Sequence, residues 1–131
     1  MDLKEWIKNY LTSRDVIEAQ IVSIEDNEKG FIVHKKNGDV SFLIKPELVD
    51  MAELKQISGK TGLVVLNSRK NLDFVINNWQ MLSTIKELCI YFVNPTVNDK
   101  WLLYPHTHNA ITEKVALKRG LLTLFSMVPA V

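Results

Sequence analysis

The sequence predicts a mixed α/β domain: a three-stranded antiparallel meander continued by a parallel strand-helix-strand crossover, with helices on both faces of one sheet. Three observations carry this. Asn37-Gly38 separates two β-rich runs, the strongest short hairpin signal because both residues accept positive φ. Leu63-Val64-Val65-Leu66 and Leu88-Cys89-Ile90-Tyr91-Phe92-Val93 are apolar throughout yet short, as strands covered on both sides are. Between them Leu72, Val75, Ile76, Trp79, Leu82 and Ile85 recur at helical spacing.

In chain order, Leu3, Trp6, Ile7, Tyr10 and Leu11 place one apolar stripe on an opening helix that Asp2 can cap. From Ile17 to about Glu25 the pattern alternates, with Ile17, Ala19 and Ile21 on one side, and reads as a strand ended by Asp26-Asn27-Glu28-Lys29-Gly30. Phe31 to Lys35 and Val40 to Lys45 complete the meander. Pro46 opens a short helix carrying Leu48, Met51, Leu54 and Ile57 and closed by Gly59. Asn71 caps the crossover helix, which runs toward Ile85. Trp101 to Tyr104 is an edge strand, and Asn109 caps a last helix bearing Ile111, Val115, Leu121, Leu122 and Phe125, ended by Pro129. Gly120 interrupts that helix, so either close packing compensates or the helix breaks there. The apolar tail from Leu121 to Val128 is expected to be buried or to form a dimer contact.

The 131 residues form one globular domain, 1–131, of a size that supports a core without disulfides or structural metal. Sixteen basic residues against fifteen acidic ones leave a formal charge of +1, which excludes a surface that traps nucleic acid or anionic membrane as a whole. Local patches are a separate matter: residues after Lys60 hold 7 basic and 4 acidic side chains. The single Cys89 excludes an intrachain disulfide and fits a reducing cytoplasm. No window approaches a membrane span, so no membrane partner is expected.

The order of elements resembles the restriction-endonuclease-like core, in which a helix precedes a meander and a crossover helix leads to a parallel strand. That resemblance implies an acid on the second strand or its turn and an acidic-x-Lys triplet on the third, two carboxylates holding magnesium while the lysine assists the attacking water. The matching positions are Asp39 at the hairpin and Lys45 in Phe42-Leu43-Ile44-Lys45. Leu43 stands where the motif has its second acid and cannot ligate a metal, leaving Glu18 or Glu47 to supply a displaced carboxylate. Asn67-Ser68-Arg69, one strand later, also lacks an acid.

Two further constellations bear chemistry. Loops leaving the carboxyl ends of parallel strands share one sheet edge, which assigns Asn67, Ser68, Arg69, Lys70 and Asn94 to an anion-binding edge. No glycine lies between Leu63 and Lys118, so neither a dinucleotide fingerprint nor a Walker loop is present. His106 and His108, if the edge strand continues through them, project from one face as a candidate metal pair, with Glu113 or Cys89 as the nearest third ligand in sequence. An antiparallel edge strand puts those histidines at the opposite end of the sheet from Arg69 and Lys70. Cys89 itself reads as a buried, inert thiol, and Trp6, Trp79 and Trp101 as core or subunit contacts.

The expected function is a cytoplasmic binding module, non-catalytic and without cofactor, for nucleic acid or another anionic ligand, with a homodimer as a further partner. The alternatives are a metal-dependent nuclease or hydrolase holding a divalent metal, and a structural subunit.

Overall fold

A computed structural model describes residues 2–131. It contains one six-stranded sheet in the order β1-β2-β3-β4-β5-β6, formed by β1 Ile21–Asn27, β2 Gly30–Lys35, β3 Gly38–Ile44, β4 Thr61–Leu66, β5 Leu88–Asn94 and β6 Asp99–Leu103. The first three strands are antiparallel, β3, β4 and β5 are parallel, and β6 returns antiparallel on β5. The mixed α/β class and the meander followed by a parallel crossover are as the sequence predicts. Of the two loop residues expected at positive φ in the β2–β3 hairpin, only Gly38 takes it (φ 127°).

Strand alternation divides the interior in two. Helix α1 (Leu3–Glu18) lays Leu3, Trp6 and Ile7 on Phe31, Val33, Phe42, Val64, Cys89, Tyr91 and Val93. On the opposite face α2 (Arg69–Asn77), α3 (Trp79–Leu82), α4 (Pro105–Ile111) and α5 (Lys114–Ser126) close a second core around Leu63, Val65, Ile90, Phe92, Trp101 and Leu103. The three tryptophans are core residues. Each is buried, and each indole N–H donates to an asparagine Oδ1: Trp6 to Asn98 at 2.9 Å, Trp79 to Asn109 at 2.9 Å and Trp101 to Asn67 at 2.8 Å.

Several elements differ from the expectation for identifiable reasons. The first helix continues to Glu18 rather than yielding to a strand at Ile17, which lies on its exposed side. It stops because Ala19 turns left-handed (φ 49°) and the Asp15 carboxylate accepts the Gln20 and Ile21 N–H groups at 2.9 and 2.8 Å, launching β1. Residues 46–57 are irregular apart from a single 3-10 turn at Leu54–Gln56. Asn71 explains this. It does not cap α2, a role taken by Ser68, whose Oγ accepts from Asn71 N–H at 3.2 Å. Its buried amide instead accepts from Leu48 N–H at 2.8 Å and donates to the Pro46 and Leu66 carbonyls, both at 2.8 Å, pinning 46–48 in a non-helical path. Leu48 and Leu54 still reach the core, so the apolar stripe is used without its helix.

The crossover helix breaks at Asn78 (ψ 21°), and the last one breaks after Ile111 into α4 and α5, leaving Asn109 inside α4 rather than at a cap. Leu121 and Val128 are buried while Met127 is exposed. Gly120 neither packs closely nor breaks α5: a Cβ there would meet open space. Gly120→Ala is therefore expected to stabilise the protein by about 0.5–1 kcal/mol through the unfolded chain's entropy. Chemical denaturation should show the midpoint moving up with an unchanged slope.

Candidate functional site

The carboxyl edge of β4 and β5 is not an open anion site. The sheet follows sequence order throughout, so it lacks the order reversal that opens a ligand crevice in doubly wound sheets. Asn67 and Asn94 are buried, with 0% and 4% exposure, and their amides hold the main chain of Val128 and Pro129 across the strand ends. Asn94 Oδ1 accepts from Thr96 N–H at 3.1 Å, and Arg69 Nε pairs with Asp73 at 3.0 Å, one helical turn on. Ser68 is spent as the helix cap. Lys70 alone of the five is exposed and in no ion pair among the described residues.

The nuclease-type pair does not converge either. Asp39 is the second residue of β3 and Lys45 follows its end, some 20 Å apart for six extended residues. Lys45 pairs with Glu53, and that lysine holds the Glu53 carboxyl below its ordinary range. Glu18 ends α1 and Glu47 lies in the irregular segment, so neither joins Asp39 and Lys45 in one group.

Asp39 belongs to a different cluster. Cross-strand pairing sets it opposite His34, whose Nδ1 meets Asp39 Oδ1 at 3.0 Å and whose Nε2 meets Glu25 Oε1 at 2.9 Å. The hydrogen bond to Glu25, then that to Asp39, raises the His34 pKa above its ordinary 6.5. The folded state binds this proton more tightly, so the stabilisation is complete below the ordinary histidine value and disappears as pH climbs through the raised one. The stability advantage of wild type over His34→Gln is accordingly expected to be larger at about pH 6 than at about pH 8.5, as read from urea midpoints of both proteins.

His106 and His108 sit on α4 rather than on a strand. Two residues apart on a helix they point about 200° away from each other, which removes the shared-metal geometry. His106 Nδ1 bonds to the Ser83 carbonyl at 2.9 Å, and His108 lies edge-on to Trp79 with its Nε2 buried and unpartnered. Burial lowers the His108 pKa. Neither Glu113 nor Cys89 completes a ligand set: no three His, Cys, Asp or Glu among the described residues are arranged to hold a metal.

What the structure opens is a cleft of about 290 Å³ at the amino ends of the parallel strands, beneath the last turns of α1. Phe42 and Tyr91 line its floor. They belong to a row of rings that runs on beyond the cleft, from Trp6 through Tyr10, Tyr91 and Phe42 to Phe31, with successive centroids 5.4, 6.4, 5.9 and 5.0 Å apart. Gly62 makes room for that row: a Cβ there would stand 2.5 Å from Phe42 Cε1 and 3.2 Å from Tyr91 Cε1. Tyr104, 53% exposed, and the Cys89 side chain complete the wall. Burial pushes the Cys89 thiol up to about 11 and raises Tyr91, so both stay protonated near neutrality.

The rim carries Arg14, Lys35 and Lys60 against Asp15, Glu18 and Glu87. Asp15 is occupied with backbone N–H groups, whereas none of the three cations lies in an ion pair among the described residues. Arg14 donates to Tyr10 Oη at 3.1 Å, which holds it over the ring row. The cleft is not legible in the sequence because its parts come from α1, from β1 to β5 and from the connections at Lys60, Glu87 and Tyr104. The usable signals were the polar run Arg14-Asp15 after an aromatic stripe and the glycine inside Thr61-Gly62-Leu63.

Comparison of the chain with protein-family models, curated proteins and solved structures yields no match. No helix among the described residues is long and apolar enough to cross a membrane.

Proposed function

We propose that the protein is a non-catalytic binding module whose ligand is a single nucleotide, free or at the end of a strand, seated in the cleft under α1. The observation that carries this is the pairing of an open aromatic wall with unpaired cations: Tyr104 offers a half-exposed ring for a base, and Arg14, Lys35 and Lys60 offer charge for a phosphate. Glu18 and Glu87 add acceptors for the amino groups of a base. The volume is at the small end of ligand sites, which suits one nucleotide rather than a length of duplex. Protonated Cys89 and Tyr91 supply hydrogen bonds and no nucleophile.

The same reading accommodates the restriction-endonuclease-like order of elements in a relative without the acid pair, since position 43 is leucine. The lone, buried Cys89 fits a reducing cytoplasm.

Calorimetric titration with adenosine 5′-monophosphate tests the proposal, with inorganic phosphate and a single-stranded oligodeoxynucleotide as the other arms. The expected result is saturable nucleotide binding that weakens with salt and falls roughly tenfold in Arg14→Ala and in Tyr104→Ala. Phosphate binding equal to that of the nucleotide would remove the role of the aromatic wall. No binding in any arm at low salt would overturn the proposal.

A further inference from the structure

We infer, on the reading of the α1 cleft as the seat of a terminal nucleotide, that the hollow beside it takes the second nucleotide, so that the ligand is the end of a single strand. This hollow measures about 280 Å³ and lies between the segment that enters β4 and the segment that enters β5. Glu87 lines both spaces. Gly59 of the hollow directly precedes Lys60 of the cleft, which puts their Cα atoms about 3.8 Å apart across a trans peptide. A strand that leaves the cleft on this side meets the hollow next.

The chemistry of the cleft is repeated here. Lys55 and Lys86 line the hollow, both exposed and in no ion pair among the described residues. They outnumber its one carboxylate, Glu87, so the space favours an anion. Ser58 and Gly59 also line it, in a turn where Gly59 is left-handed (φ 75°), and the N–H groups of both donate to no acceptor among the described residues. Successive amides in such a turn form a concavity that suits a phosphate. The apolar part of the lining is Ile57, Ile85 and Met81, the last 41% exposed. A flexible thioether packs on the face of a base without demanding one geometry. A site for a bare phosphate needs no apolar floor, whereas cations beside one fit a nucleotide, as in grooves that track single strands.

The test compares adenosine 5′-monophosphate with the 5′-phosphorylated adenine dinucleotide by calorimetry, in wild type and in the double variant Lys55→Gln, Lys86→Gln, which alters only exposed side chains. The expected result is dinucleotide binding roughly tenfold tighter than mononucleotide binding in wild type, with the ratio falling to near one in the double variant. NMR of wild type should show the Gly59 amide and the Met81 methyl group moving with the dinucleotide and not with the mononucleotide. Mononucleotide binding with no gain for the dinucleotide would overturn the inference and leave the cleft reading standing. A gain that persists in the double variant would also overturn it. No binding of either ligand would remove the cleft reading and this inference together.

Discussion

Gly30→Ala is expected to destabilise the protein by about 3 kcal/mol or more, lowering Tm by on the order of 10 °C. Gly30 opens β2 opposite Leu43, and a Cβ at this position would collide with the Phe42 carbonyl oxygen, with Ile44 Cγ1 a further 3.3 Å contact. A side chain could swing aside. A carbonyl inside the sheet cannot, because moving it disturbs the β2–β3 ladder. The turn before it compounds the strain: Asn27 Oδ1 accepts from both Lys29 and Gly30 N–H groups at 3.0 and 2.9 Å, and Ile44 N–H donates to the Lys29 carbonyl. Backbone φ is not at issue, since Gly30 does not lie in the left-handed region. Thermal unfolding of Gly30→Ala beside Gly120→Ala should therefore show shifts of opposite sign. A Gly30→Ala protein melting within about 2 °C of wild type would mean that the β2–β3 register is wrong.

Asn67→Ala is expected to cost about 2–4 kcal/mol. The residue is wholly buried and joins three parts of the fold: its Oδ1 accepts the Trp101 indole, its Nδ2 holds Val128 and Pro129, and its backbone N–H donates to the Val93 carbonyl at 2.8 Å. Alanine leaves the indole N–H and the Val128 carbonyl without these partners and a void between them. Trp101 also stacks on Phe92 with centroids 4.2 Å apart, so its displacement would disturb the centre of the second core. Ser68→Ala, which removes only a helix cap next door, should cost about 1 kcal/mol. Urea midpoints for the two variants check the ranking, and equal losses would show that the buried amide contributes nothing beyond its neighbour.

Gly30 and Asn67 also mark the limit of what local sequence pattern encodes. The meander, the parallel crossover and the returning edge strand are legible because they rest on local patterns: Asn37-Gly38 between β-rich runs, and two short runs without polar residues. The helix expected over 46–59 and the capping role given to Asn71 fail together, for one tertiary reason. A buried asparagine from α2 binds the backbone of 46–48, and no periodicity encodes that. Asn67 and Asn94 stand at strand ends, where the sequence points to an anion-binding edge, but both amides are buried on main-chain partners more than thirty residues away in sequence. The same holds for the cleft, whose cations are separated along the chain and meet only once α1 crosses the sheet. Charge gives no cue to it either, since Arg14, Lys35 and Lys60 share the rim with Asp15, Glu18 and Glu87.

On the proposed function, ligand is taken at the amino ends of the parallel strands, under α1, and not at the carboxyl edge. Backbone amide NMR during titration with adenosine 5′-monophosphate tests it most directly. Saturable shifts centred on Arg14, Lys35, Lys60, Gly62, Cys89 and Tyr104, with Ser68, Arg69, Lys70 and Asn94 unmoved, are the predicted result. Shifts centred on Ser68 to Asn71 and Asn94 instead would contradict it.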